Sequence, residues 1–334
     1  MLKTKKSVLF ISPAFFGYEN SIIAAILEYG YSVDFFDERT SNKSFFKAIF
    51  RINKNLVSFL IDNYYKKIWK LVTKNQYDFL LLIKGEVIPE WFILKFKVNN
   101  PKAILVYYTY DSSNNNNVNS SIIIKHFHKC FSFDFEDVIK NPIFKLKHLF
   151  FTNEFKNNSD LKIEERKYSI SFVGTIHSNR YNKIKLLFSN FENTHIFYYL
   201  PAKWLFYWYK ISNKLFKDIK LSEISFTKLS KLQVAEIFKS SICVLDIQRI
   251  GQTGLTMRTF EVLASGSFLI TTNSYIKYVD FYNEDYILIL DDLSNINCTK
   301  LINEKISSRL VKNENFESNL NKYSINNWII EFFE

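Results

Sequence analysis

The sequence predicts an α/β protein of two doubly wound, Rossmann-like domains facing each other across a cleft, with the C-terminal helix packing back on the first. Three observations predict this. Short apolar runs alternate with helically spaced segments, the pattern of a parallel sheet covered on both faces. The alternation occurs twice, once on each side of a polar stretch. The 334-residue length exceeds what one core usually organises, and the 47% hydrophobic content is ample for two.

In the first half, residues 7–12 read as a strand, Gly17 sits in the loop after it, and 21–29 has helical spacing closed by Gly30. A second strand follows at 31–36. Residues 44–74 place Phe46, Ile49, Phe50, Leu56, Leu60, Ile61, Ile68 and Leu71 at helical periods. Strands return at 77–83, 104–108 and 130–133, the last two separated by the asparagine-rich loop 114–117 and a short helix near 122–127. That loop is read as compositional drift, with a mobile loop over an acceptor as the sharper alternative. The polar segment around Asn157-Asn158-Ser159-Asp160 marks a linker at 156–167 between a first domain, 1–155, and a second, 168–334. The second domain runs strand 169–173, helix 181–189, strand 195–199, helix 228–239, strand 242–247, helix 257–265, strand 268–271 and a closing helix at 325–333.

Composition narrows the function. The formal charge of +11 is spread along the chain as lysine, without the concentrated stripe that nucleic acid requires, so no nucleic-acid partner is expected. The charge suits phosphorylated substrates or anionic lipid headgroups. Apolar runs are broken by Pro13, Lys84 or Lys203, and the N-terminus passes into a strand without a cleavage site. These features predict a cytoplasmic protein, at most peripheral on the inner face of the membrane. Cys130, Cys243 and Cys298 lack metal or redox spacing and are expected to be reduced. His126 and His128 are two apart and would point to different helix faces, so they form no metal pair. The chain is rich in Lys, Asn, Ile, Phe and Tyr and has only seven glycines, where average usage would give about twenty-three. Each glycine is therefore expected to hold a backbone position other residues cannot.

Three of the seven glycines and two of the seven arginines fall in the segment from Ile242 to Gly266. A buried strand enters a glycine-containing loop, Thr256 is placed to cap the following helix, and Gly266 to stop it. Gly254, Leu255 and Thr256 then present backbone N–H groups above the strand end, where an anion is the natural occupant. Arg258 lies in the first helical turn, where the macrodipole opposes a cation unless negative charge is present, and a diphosphate would supply it. Glu261, three residues on, is placed to accept from ribose hydroxyls or to orient Arg258. The plainer alternative is an Arg258–Glu261 surface pair.

The run from Arg258 to Thr271, Arg258-Thr259-Phe260-Glu261-Val262-Leu263-Ala264-Ser265-Gly266-Ser267-Phe268-Leu269-Ile270-Thr271, resembles the signature of the CgeB-like (spore-protein type) glycosyltransferase family. The strong part covers 229–290. The resemblance implies a GT-B enzyme that binds a nucleotide-diphosphate sugar in the second domain and its acceptor in the first, with Glu261 on the ribose and Arg258 on the diphosphate. The stretch Ser171-Phe172-Val173-Gly174-Thr175-Ile176-His177-Ser178-Asn179-Arg180 is similar to the turn that opens the donor domain of many GT-B enzymes. In it Gly174 allows close backbone approach, His177 faces the phosphates, and Arg180 with Lys185 neutralises the leaving diphosphate; a solvated helix start is the alternative. Many retaining GT-B enzymes carry a second glutamate eight positions before the first, where this chain has Thr253. That leaves the stereochemical outcome open with a slight tilt toward inversion, and inversion would need a general base from the first domain. Asp111, after the strand 104–108, is the first candidate and Glu86 the second. Asp134-Phe135-Glu136-Asp137 is read as a chance likeness to the metal motif of another fold.

The expected function is transfer of a sugar from a nucleotide-diphosphate sugar to a cell-surface glycan or lipid-linked saccharide, as in polysaccharide or lipopolysaccharide biosynthesis. It would use no metal or other cofactor. A sugar-nucleotide 2-epimerase on the same scaffold, or a nucleotide-sugar-binding protein without turnover, are the alternatives. The aromatic stretch 204–210, followed by Lys214, Lys217 and Lys220, is read as a partly buried helix, with placement on a membrane surface as the other reading.

Overall fold

The computed structural model describes residues 5–39, 55–110, 119–157, 165–176, 178–248, 251–293, 295, 297–308 and 313–334. The chain divides into two compact units. The first comprises Met1–His148, Gln252–Gly254 and Ile325–Glu334; the second comprises Leu149–Gly251 and Leu255–Ser324. The second unit thus begins at Leu149, ahead of the expected linker. Asn157 and Arg166 both belong to it: the Asn157 N–H donates to the Ala264 carbonyl, and Arg166 Nη1 to the Ser241 carbonyl.

The first unit carries β1 (Ser7–Ser12), β2 (Ser32–Asp37), β3 (Phe79–Ile83), β4 (Ile104–Tyr108), β5 (Lys129–Ser132) and β6 (Phe144–Leu146). All pairs are parallel, in the order β2-β1-β3-β4-β5-β6. β3 is an unbroken apolar run, Phe-Leu-Leu-Leu-Ile, and every residue of it is buried, as expected for a strand covered on both faces. Helix Asn55–Val72 turns Ile61, Tyr65, Ile68 and Val72 into the core at helical spacing, while Leu60 and Leu71 face out. Helix Ile325–Phe333 completes this unit, which satisfies the expectation that the C-terminal helix returns to it. The Phe333 ring lies 5.0 Å from that of Phe79, Trp328 packs on Tyr108, and Trp328 Nε1 donates to the His148 carbonyl at 2.8 Å.

The second unit carries β7 (Tyr168–Thr175), β8 (His195–Tyr199), β9 (Ile224–Ser225), β10 (Ser241–Asp246), β11 (Phe268–Thr271) and β12 (Ile287–Ile289). They are again all parallel, in the order β12-β11-β10-β7-β8-β9. Helix Met257–Ala264 ends as expected at Gly266, whose φ of +70° is readily adopted only by glycine. The Gly266 N–H reaches the Leu263 carbonyl and the Ser267 N–H the Val262 carbonyl, a Schellman stop. Ser267 Oγ, Arg166 and the Ser241 carbonyl then tie this end of the helix to the start of β10. The Ser265-Gly266-Ser267 part of the motif is thereby structural. Cys130, Cys243 and Cys298 are buried free thiols.

Candidate functional site

In the second unit the chain runs from β7 to β8 and β9 on one side, and from β10 to β11 and β12 on the other. The direction of winding therefore reverses between β7 and β10. Open parallel sheets take ligands outside the carboxyl ends of the strands at such a reversal. β7 ends there in Gly174-Thr175 and β10 in Asp246.

Asp246 organises this edge. Its carboxylate is buried; Oδ2 accepts from Thr256 Oγ1 at 2.8 Å and Thr259 Oγ1 at 3.0 Å, and Oδ1 accepts from Arg258 Nη1 at 3.0 Å. The Arg258 guanidinium also lies over the Phe172 ring, 5.8 Å from its centroid. Gly174 leaves room for that ring, since a Cβ there would stand 2.8 Å from Phe172 Cζ, whereas Arg258 Nη2 at 3.5 Å would be in ordinary contact. The Arg258 side chain is 24% exposed, and its only hydrogen bond among the described residues is the one to Asp246.

Two expectations are corrected here. Thr256 does occupy the N-cap position with extended backbone, but its hydroxyl goes to Asp246 and makes no capping bond, and among the described residues no side chain is bonded to the leading N–H groups of this helix. The cation in the first turn already has an anion in Asp246, so its presence does not by itself call for a phosphate. Asp246 was legible as the lone acid closing an apolar strand, Ile242-Cys243-Val244-Leu245.

Arg180, in the first turn of helix Ser178–Phe188, donates through Nη2 to the Gln248 carbonyl at 2.6 Å, which brings it to the end of β10. The Gln248 side-chain Oε1 is buried and has no hydrogen-bond partner among the described residues. Lys185 points elsewhere, to Glu223 at 3.0 Å and the Tyr181 hydroxyl at 3.1 Å. Glu261 is 4% exposed and Leu255 is fully buried. Gly254 lies in the first unit. Its N–H and that of Thr253 both donate to Asp134 Oδ2 at 3.1 Å, and Phe133 fills the space beside it, 2.5 Å from where a Cβ would stand. The glycine turn does bind an anion, but the anion is the protein's own carboxylate. The structure therefore brings Gly174, Arg180, Thr256 and Arg258 to one edge, with Glu261 one helical turn from Arg258, and leaves the Gly254 amide outside that group. His177 and Asp111 lie outside the described residues.

In the first unit the reversal falls between β1 and β3. Lys84 and Gly85 directly after β3 are both left-handed, with φ of 77° and 69°, an uncommon state for lysine. Glu86 is gripped by Arg39 Nη2 at 2.7 Å and Lys84 Nζ at 3.1 Å. Burial works to raise its pKa, but the two cations outweigh burial and lower it. Glu38, just after β2, is wholly buried; Oε1 accepts the Val87 N–H at 2.7 Å and Oε2 has no hydrogen-bond partner among the described residues. Burial raises its carboxyl to about 7, against the opposing Val87 hydrogen bond. Within the charged run Asp37-Glu38-Arg39 no local sequence signal separates it from a solvated loop acid. Among the described residues no three His, Cys, Asp or Glu side chains gather as metal ligands. His126 bonds Glu90 at 2.7 Å, and His128 Nδ1 accepts the Leu105 N–H. Asp134 caps helix Phe135–Lys140 through the Glu136 N–H.

The sequence matches no family model and no curated protein. The similarity to CgeB-like enzymes thus stands on the quoted residues alone. Solved structures do match. The chain superposes on Anabaena HepE, crystallised with UDP and glucose, with a TM-score of 0.59 at 9% identity over 98% of each chain. It superposes on AviGT4, a glycosyltransferase involved in avilamycin A biosynthesis, with a TM-score of 0.60 at 10% identity, over 98% of this chain and 96% of that one. UDP-GlcNAc 2-epimerase from Methanocaldococcus jannaschii matches with a TM-score of 0.52 at 9% identity, over 98% and 99%. Identities this low carry the fold: two parallel six-stranded sheets with helices, the α/β architecture of the GT-B glycosyltransferases.

Proposed function

We propose that this protein is a glycosyltransferase that moves a sugar from a nucleotide-diphosphate sugar to a cell-surface glycan or lipid-linked saccharide, as in polysaccharide or lipopolysaccharide assembly. The observation that carries the reading is the convergence of Arg258, Arg180, Gly174 and the uncapped helix start at Thr256 on the β7/β10 reversal. A helix N-terminus with unused N–H groups attracts phosphate, and an arginine held in place adds directed donors. Asp246 fixes Arg258 before any ligand arrives, and pre-positioning of this kind favours binding of developing charge. Glu261 takes the ribose hydroxyls in this reading, and His177, two residues past the end of β7, is the sequence candidate for a phosphate contact.

In the reaction the bond from the sugar anomeric carbon to the diphosphate oxygen breaks, its electron pair staying on the diphosphate. The acceptor oxygen forms the new bond, and its proton passes to a base. Arg258, Arg180 and the helix N–H groups receive the diphosphate charge, so no metal is required for that task. Asp111 fills the role of that base; Glu86, held between Lys84 and Arg39, is the weaker base. The fold likeness to HepE and AviGT4 supports transfer.

The likeness to a 2-epimerase supports the second reading, epimerisation of the nucleotide sugar itself. Incubation with one nucleotide sugar and no acceptor separates them. Slow release of free sugar and nucleoside diphosphate is expected for the transferase, and an epimerised nucleotide sugar would mark the epimerase. Binding without either product, and without transfer to any acceptor tried, would make the protein a nucleotide-sugar-binding protein.

A further inference from the structure

Helix Lys203–Ser212 in the second unit has two apolar faces, and only one is used by the core. Leu205, Phe206 and Tyr209 turn inward, Phe206 to 4% exposure. On the outer side Trp204 is 64% exposed, Tyr207 55%, Trp208 60% and Ile211 87%. Their spacing of i, i+3, i+4 and i+7 makes one continuous stripe along the helix. The sequence reading of a partly buried helix holds for Leu205, Phe206 and Tyr209, while Trp204, Tyr207, Trp208 and Ile211 face solvent as an ordered strip. A surface helix normally shows water a polar face, so such a strip marks something that covers it.

We propose that this strip seats the protein on an anionic phospholipid surface. It stands independently of the sugar-transfer reading, and the charge around the strip argues for the occupant. Residues 203–220 contain Lys203, Lys210, Lys214, Lys217 and Lys220 against the single acid Asp218, five positive charges minus one negative, or +4. Lys203, Lys214, Lys217 and Lys220 are exposed. Lys210 Nζ is turned onto the Lys217 carbonyl, which folds the basic segment back beside the helix. The next acid, Glu223, is already engaged by Lys185 and Tyr181. Tryptophan and tyrosine pair an apolar ring with one polar group, which suits the level between headgroups and acyl chains, and lysines beside them meet the lipid phosphates. The helix is ten residues long, about 15 Å, and so lies in the interface without crossing it. No helix among the described residues is long and apolar enough to span a membrane.

The test is co-sedimentation of the full chain with vesicles of phosphatidylcholine alone or with about 30% phosphatidylglycerol, followed by tryptophan emission. Wild type is expected to sediment with the anionic vesicles and shift its emission to the blue, and to bind pure phosphatidylcholine weakly. The double variant Trp204→Ala/Trp208→Ala should lose binding by roughly tenfold or more with an unchanged melting temperature. Lys214→Glu/Lys217→Glu should lose the preference for anionic vesicles, a second readout on exposed side chains. Wild type that stays in solution with anionic vesicles, or tryptophan variants that bind like wild type, would overturn the proposal. So would concentration-dependent self-association in plain buffer that the tryptophan variant abolishes, since the strip would then belong to a second copy of the chain.

Discussion

Arg258→Ala is expected to weaken nucleotide-sugar affinity by about 10- to 100-fold, the loss of charge-assisted hydrogen bonds worth about 1.5–3 kcal/mol. The mutation also leaves Asp246 buried with two threonine hydroxyls and no cation, which lowers stability. Arg258→Lys separates the two effects. It keeps a positive charge beside Asp246 and the melting temperature close to wild type, yet loses the planar fork and with it most of the affinity gained from a diphosphate. Calorimetric titration with a nucleotide sugar reads both variants. Wild-type affinity in Arg258→Ala would remove the diphosphate from this edge.

The second large effect concerns pH. Glu38 has its carboxyl raised to about 7 in the folded protein, from 4.5 for the free side chain, because burial penalises its charge. A folded pKa above the unfolded one means that the native state holds the proton more tightly. The contribution to stability is complete below about pH 4.5, is lost progressively as pH rises toward 7, and stays lost above it. With 1.36 kcal/mol per pKa unit the loss amounts to about 3 kcal/mol. Glu38→Gln cannot ionise but keeps an oxygen for the Val87 N–H. It is expected to match wild type near pH 4.5 and to exceed it by about 3 kcal/mol at pH 8 in urea denaturation. Equal stability of the two proteins at pH 8 would mean that Glu38 is accommodated as a carboxylate.

Long periodic elements were legible in the sequence because burial on both faces leaves an uninterrupted apolar run. β3 and β10 are of that kind, and so is the turn at Gly266, where only the left-handed stop suits a glycine between helix and strand. β9 and β12, two and three residues long, have no period to detect. At the site, types and spacing showed which residues matter and hid their partners. The Arg258–Asp246 pair joins a strand end to a helix twelve residues on, and the carboxylate that fills the Gly254 turn comes from Asp134, 120 positions earlier. Such pairings depend on which strand ends meet, which local pattern does not contain. Helix Lys203–Ser212 shows the same limit. Leu205, Phe206 and Tyr209 form a face as apolar as Trp204, Tyr207, Trp208 and Ile211, and only the packed structure decides which turns outward.

Hydrogen exchange with and without a saturating nucleotide sugar bears most directly on the central claim. The peptides covering β7 into helix Ser178–Phe188, and Thr256 to Glu261, should exchange more slowly when the nucleotide sugar is bound. Binding that leaves both segments unprotected, and slows exchange only elsewhere in the chain, would contradict it.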